Sequence, residues 1–188
     1  MKTLQEMEEY AKEHFVPIAR KDFIEFLKSF ILQNHYHDIL EIGSAIGYSA
    51  IQLALLNDVY VTTIEQDDKR FAICLQNIYD FHLENKIQAI HDDALSVFIS
   101  QKYDVIFIDA AKAKNILFFD KYKVNLRNNG IIIIDNMELK DFKKMVQPKK
   151  AKFYEEKINE LKEYLASLVD FDVTYLDIGD GIALLKRK

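Results

Sequence analysis

DILEIGSAIGYSA, residues 38 to 50, decides how the rest of the chain is read. Ile39, Leu40 and Ile42 make a short apolar run rich in β-branched residues, which favours a strand. Gly43 and Gly47 then flank small residues, and a helical stretch follows. Strand, glycine loop and helix in that order form the opening of a β-α-β unit, whose second strand lies parallel to the first.

The same alternation continues outward. Further strands are expected at 59–65, 86–91, 104–109, 131–135, 172–178 and 181–187. Helices are expected at 3–14, 20–33, 46–56, 67–83, 114–126 and 150–168. The last places Ile158, Leu161, Leu165 and Leu168 on one face. Continuously apolar strands between amphipathic helices predict a mostly parallel sheet covered on both faces. Gly179-Asp180-Gly181 leaves room only for a tight turn between the last two strands, so a hairpin and one antiparallel strand are expected there. The predicted fold is α/β, a doubly wound sheet of seven strands.

The 188 residues suit a single domain, 1–188, in which the helices of 1–34 precede the first strand. Apolar residues are 49% of the chain, too many for disorder, and no apolar run approaches the ~20 residues that span a bilayer. The first residues, MKTLQEMEEYAKEHF, are charged and amphipathic, unlike a signal peptide. The lone Cys74 excludes an internal disulfide, and its helical spacing with Phe71, Leu75 and Ile78 predicts a buried thiol. A cytoplasmic chain with no membrane association is the expectation. The net charge of −5 argues against a generally basic nucleic-acid-binding surface. Residues 139–152 nevertheless carry six lysines and one acid, and the tail ends Lys186-Arg187-Lys188.

In doubly wound sheets, ligands bind beyond the carboxyl ends of the strands. A dinucleotide fingerprint, G-x-G-x-x-G, would fall on Gly43, Ala45 and Tyr48. Ala45 would crowd a pyrophosphate and Tyr48 would block close helix packing, which disfavours an NAD-dependent oxidoreductase. A ribose-bearing cofactor without phosphates suits the loop better. Glu65 ends the second strand twenty-two positions after Gly43, where a carboxylate accepts from ribose hydroxyls. Asp93 and the Ala94 backbone, after the third strand, could reach an adenine. Asp109 and Asp135-Asn136 end two strands expected to be neighbours. These hard oxygen donors suit Mg²⁺, with Mn²⁺ or Ca²⁺ as alternatives, over Zn²⁺. The five histidines lack partner spacing and offer no rival site.

EIGSAIGYSA, the acid of TTIEQDDKR, DDAL, FIDAAK and IIIIDN resemble the metal-dependent class I S-adenosylmethionine O-methyltransferases, which include the catechol and caffeoyl-CoA enzymes. VPIA, GSAIGYSA, IDAAK and the terminal IGDGIAL most resemble the bacterial tRNA 5-hydroxyuridine methyltransferases within that group. The resemblance runs from Pro17 to Lys186 and implies a Rossmann-like domain whose N-terminal helices, 1–34, cover the site. It implies that Ala19, Gly43, Ser49, Glu65, Asp93, Ala94 and Asp109 contact S-adenosylmethionine. Relatives often carry methionine where this chain has Ala19, and an arginine-rich segment where it has lysines. It further implies that Asp109, Asp135 and Asn136 hold the metal. Lys112, in the loop leaving the strand, would take the acceptor's hydroxyl proton. The implied acceptor is 5-hydroxyuridine in tRNA, giving 5-methoxyuridine, and the implied assembly is a homodimer. The alternatives are a catechol-like small-molecule acceptor and, in another class, a cofactor- or RNA-binding module without chemistry.

Overall fold

Each apolar run becomes a strand, and each amphipathic stretch a helix laid against it. The structure, a computed structural model, describes residues 2–138, 140 and 146–188. Two helices, α1 (Leu4–Glu13) and α2 (Lys21–Gln33), precede β1 (Asp38–Ile42). There follow α3 (Tyr48–Ala54), β2 (Tyr60–Glu65), α4 (Asp68–Asp80), β3 (Ile87–His91) and β4 (Tyr103–Ile108). The second half holds α5 (Asn115–Tyr122), β5 (Leu126–Ile134), α6 (Pro148–Ala166), β6 (Phe171–Leu176) and β7 (Ile182–Arg187). Local chemistry sets several starts. Thr3 and Glu6 cap α1 reciprocally, Asp67 accepts from the Arg70 amide at 2.9 Å, and Pro148 opens α6.

The seven strands lie in the order β3-β2-β1-β4-β5-β7-β6. All neighbouring pairs are parallel except the two made by β7, which runs against both β5 and β6. The doubly wound mixed sheet expected from the sequence is therefore present, with its single antiparallel strand.

Side chains divide between the two faces with the period of two that a pleated strand imposes. Ile39, Val105, Phe107, Ile131 and Ile133 join the core under α1 to α4. Leu40, Ile42, Ile106, Ile108, Ile132 and Ile134 join the other core, under α5 and α6, with Phe119, Leu161 and Leu165. Both faces of 105–108 in β4 and 131–134 in β5 are buried, which is why these stretches read as unbroken apolar runs.

Strand β5 begins earlier than expected. Leu126 already pairs with Tyr103, and the register shifts before Val105 meets Ile131. Arg127-Asn128-Asn129-Gly130 has turn chemistry, which hides this irregular start in the sequence. Leu168 lies just beyond the end of α6, whose buried stripe is Ile158, Leu161 and Leu165. Cys74 is buried, as its spacing predicts, and burial pushes its thiol up to about 12, so it is an inert core residue.

Candidate active site

Chain order places the site. From β1 the chain winds one way to β2 and β3, then returns across β1 to β4. The switch point thus falls between the carboxyl ends of β1 and β4, where an open α/β sheet leaves a crevice. Gly43 leaves β1 there with a φ of +100°, and a Cβ on it would stand 2.3 Å from the Asp109 carbonyl oxygen. Glycine is required by both the dihedral and the close approach. Gly47, at φ +82°, caps α3, and a Cβ on it would meet the Cys74 sulfur at 2.8 Å.

Glu65 ties the cofactor side together. Its carboxylate accepts from the Ala45 amide and from the Asp67 amide, both at 2.9 Å. One side chain therefore pins the glycine loop to the turn that starts α4. Ala45 takes a left-handed φ of 46° in this loop. Tyr48 is buried at the start of α3, and its hydroxyl donates to Glu8 of α1 at 2.6 Å. Glu8 also pairs with Lys21 at 2.7 Å, so the N-terminal helices are fastened to the loop. Ala19 is buried in the core that contains Ile46 and Tyr48.

Beyond β3, Asp93 accepts from the Leu95 amide at 2.9 Å and pairs with Lys114 at 3.3 Å. The Leu95 amide, then Lys114, hold its carboxyl below the ordinary value. The Ala94 carbonyl accepts from the Tyr122 hydroxyl at 2.6 Å.

The strand-end acids meet on the other side of the crevice. Asp109 and Asp135 follow β4 and β5, which are adjacent, and their amides continue the ladder to Ile42 and Ile108. Asn136, at φ 64°, donates from Nδ2 to Asp109 Oδ1 at 3.2 Å. Lys112 donates from Nζ to Asn136 Oδ1 at 2.7 Å. The short turn 112–114 thus serves two places, with Lys112 at the Asp109–Asn136 pair and Lys114 at Asp93. Both Asp109 and Asp135 keep some solvent exposure, yet enclosure by protein pushes their carboxyls above the ordinary range. The negative charge of Asp109 pushes Asp135 further in the same direction.

Two residues outside the sequence expectations join this rim. Glu41, on β1, is wholly buried and accepts from Ser49 Oγ and, at 2.5 Å, from Thr63 Oγ1. Burial raises its carboxyl to about 7. The Ser49 hydroxyl is therefore directed at Glu41. An acid inside an otherwise apolar strand was the available signal for Glu41. Asp180, in the β6–β7 turn, raises the carboxyls of both Asp109 and Asp135 by its charge. Its Oδ1 is buried without a hydrogen-bond partner.

Among the described residues, no three His, Cys, Asp or Glu side chains form a metal-holding group. The donor set at this rim is instead two carboxylates and an amide oxygen, all hard donors. Crowded carboxylates and an orphaned buried carboxylate oxygen leave excess negative charge there, and a hard divalent cation fits that excess. Of the basic run, Lys140 pairs with Asp177 and Glu138, while Lys149, Lys150 and Lys152 are exposed on α6. Lys143 and Lys144 lie outside the described residues.

Comparisons with known proteins agree with the fold. The chain is 29% identical to tapetum-specific methyltransferase 1 of Arabidopsis thaliana, over 92% of this chain and 77% of that protein. It is 28% identical to a caffeoyl-CoA O-methyltransferase of Populus kitakamiensis, over 79% of this chain and 68% of that one. A Staphylococcus aureus protein, provisionally described as a caffeoyl-CoA O-methyltransferase, superposes with a TM-score of 0.90 at 32% identity. That match covers 100% of this chain and 93% of the other. The O-methyltransferase family profile matches residues 1–188, so the chain belongs to the O-methyltransferase family, whose methyl donor is S-adenosylmethionine.

Proposed function

We propose that this protein is a metal-dependent O-methyltransferase whose acceptor carries a hydroxyl beside a second oxygen. The observation that carries the reading is the meeting of Asp109, Asp135, Asn136 and Lys112 across the switch point from the Gly43 loop. Asp109, Asp135 and Asn136 would hold the cation, with Mg²⁺ first and Mn²⁺ or Ca²⁺ as alternatives, and it would supply the Lewis acidity that favours ionisation of the acceptor hydroxyl. Lys112 receives the hydroxyl proton at Nζ. Glu65 holds the cofactor ribose and, through the Ala45 amide, the loop beneath it. Asp93 and Ala94 face the adenine, Gly43 and Ser49 line the methionine side, and Ala19 closes it. Transfer then depends on in-line approach of oxyanion to sulfonium methyl, so alignment and water exclusion supply the rate.

The acceptor assigned is 5-hydroxyuridine in tRNA, whose O5 and O4 are neighbours. The motif resemblance and the lysines of 140–152 support it, with Lys149, Lys150 and Lys152 exposed at the start of α6. A second reading, a catechol-like small molecule, is favoured by the caffeoyl-CoA O-methyltransferases among the relatives. The unit is residues 1–188, with 1–34 covering the site, acting in the cytoplasm as a homodimer. The dimer rests on the resemblance, and the compartment on the cysteine usage. Among the described residues, no helix is long and apolar enough to cross a membrane. Mass spectrometry of tRNA nucleosides from cells lacking the protein decides the acceptor. Loss of 5-methoxyuridine with accumulation of 5-hydroxyuridine supports tRNA. Unchanged nucleosides, with methylation of catechols by the purified protein, transfer the assignment to small molecules.

A further inference from the structure

The β6–β7 turn is built to bring one carboxylate to the cation rim. Gly179 and Gly181 take φ values of +59° and +75°, so the backbone folds tightly around Asp180. Two backbone bonds lace this turn to the segment leaving β5. The Met137 amide donates to the Gly181 carbonyl, and the Glu138 amide to the Asp180 carbonyl, both at 2.8 Å. A Cβ on Gly181 would come within 2.9 Å of Glu138 Cγ, so the two segments cannot separate by a side chain's width. Asp180 is thereby held beside Asp135 and Asn136.

Among the described residues, its buried Oδ1 receives no hydrogen bond. The Arg20 guanidinium is 3.9 Å away, beyond hydrogen-bond reach, about half exposed, and also faces Asp22 at 3.4 Å. Such a pair is weak compensation for a buried carboxylate oxygen. Among the described residues, no three acids form a metal-holding group, so Asp180 acts from outside the ligand set.

We propose that Asp180 is a positioning residue of the cation site, its carboxylate accepting from the hydration shell of the divalent ion held by Asp109, Asp135 and Asn136. This rests on the metal-dependent reading above. The third carboxylate adds charge for the ion and orients its hydration without occupying a coordination position. Outer partners of this kind typically change metal affinity about 10- to 100-fold when removed.

The test is Mn²⁺ binding, followed by electron paramagnetic resonance in the absence of turnover. S-adenosylhomocysteine binding is measured by calorimetry on the same preparations. Asp180→Asn should weaken Mn²⁺ about 10- to 100-fold and leave S-adenosylhomocysteine affinity at the wild-type value. Arg20→Gln, which removes the neighbouring cation, should keep or tighten Mn²⁺ binding. Wild-type Mn²⁺ affinity in Asp180→Asn overturns the proposal. So does a loss in Arg20→Gln as large as that in Asp180→Asn, because Asp180 would then matter only as Arg20's partner. A wild-type protein that binds S-adenosylhomocysteine but no Mn²⁺ overturns the metal reading itself.

Discussion

Replacing Glu41 by Gln should stabilise the cofactor-free protein at alkaline pH and change the slope of its stability against pH. The Glu41 carboxyl rises from an ordinary 4.5 to about 7, because burial outweighs the hydrogen bonds from Ser49 and Thr63. Between those values the folded chain keeps a proton that the unfolded chain has released. The associated stability is therefore complete below about pH 4.5 and is lost as pH rises through about 7. At 1.36 kcal/mol per pH unit the full effect is about 3 kcal/mol, most of which falls between pH 5 and pH 8. Gln cannot ionise, and it still offers an oxygen to one of the two hydroxyls. Urea unfolding of wild type and variant should give a stability difference that shifts toward the variant by about 2–3 kcal/mol over that range. Thermal midpoints should diverge by about 5–10 °C, since 1 kcal/mol moves a domain of this size by about 2–4 °C. A difference that stays constant from acid to alkaline pH would refute the reasoning, and would mean that Glu41 ionises without cost.

The other predictions concern the site. Asp135→Ala should abolish methyl transfer while calorimetry with S-adenosylhomocysteine stays near wild type; full activity in excess EDTA would reject metal dependence. Glu65→Ala should weaken S-adenosylhomocysteine by about 1.5–3 kcal/mol, the scale of hydrogen bonds to a charged group, and unchanged affinity would show that the glycine loop binds something else. Gly43→Ala should cost about 2–4 kcal/mol in urea unfolding through backbone strain and the clash with Asp109, so a neutral result would contradict the close approach. Replacing Lys143, Lys144, Lys149 and Lys150 by Gln should weaken tRNA binding and flatten its salt dependence by roughly 0.7–0.9 per lost phosphate contact; an unchanged slope would leave the run as solvated surface.

What the sequence determined by itself was the order of elements and the residues at strand ends. Burial on both faces makes 105–108 and 131–134 continuously apolar, so Asp109 and Asp135-Asn136 at their ends stand out, while Glu65 was legible from its spacing to Gly43. The hairpin was legible because Gly179-Asp180-Gly181 leaves no room for a helix. Tertiary structure alone decided which of these groups face one another. Lys112 reaches Asn136 across 24 positions, and Asp180 approaches Asp109 and Asp135 only because β7 inserts antiparallel beside β5. Glu41 gains its raised carboxyl from enclosure by both layers and from hydroxyls on α3 and β2. Local pattern records what a residue does to its own backbone, whereas charge, desolvation and convergence depend on neighbours that only the packed sheet supplies.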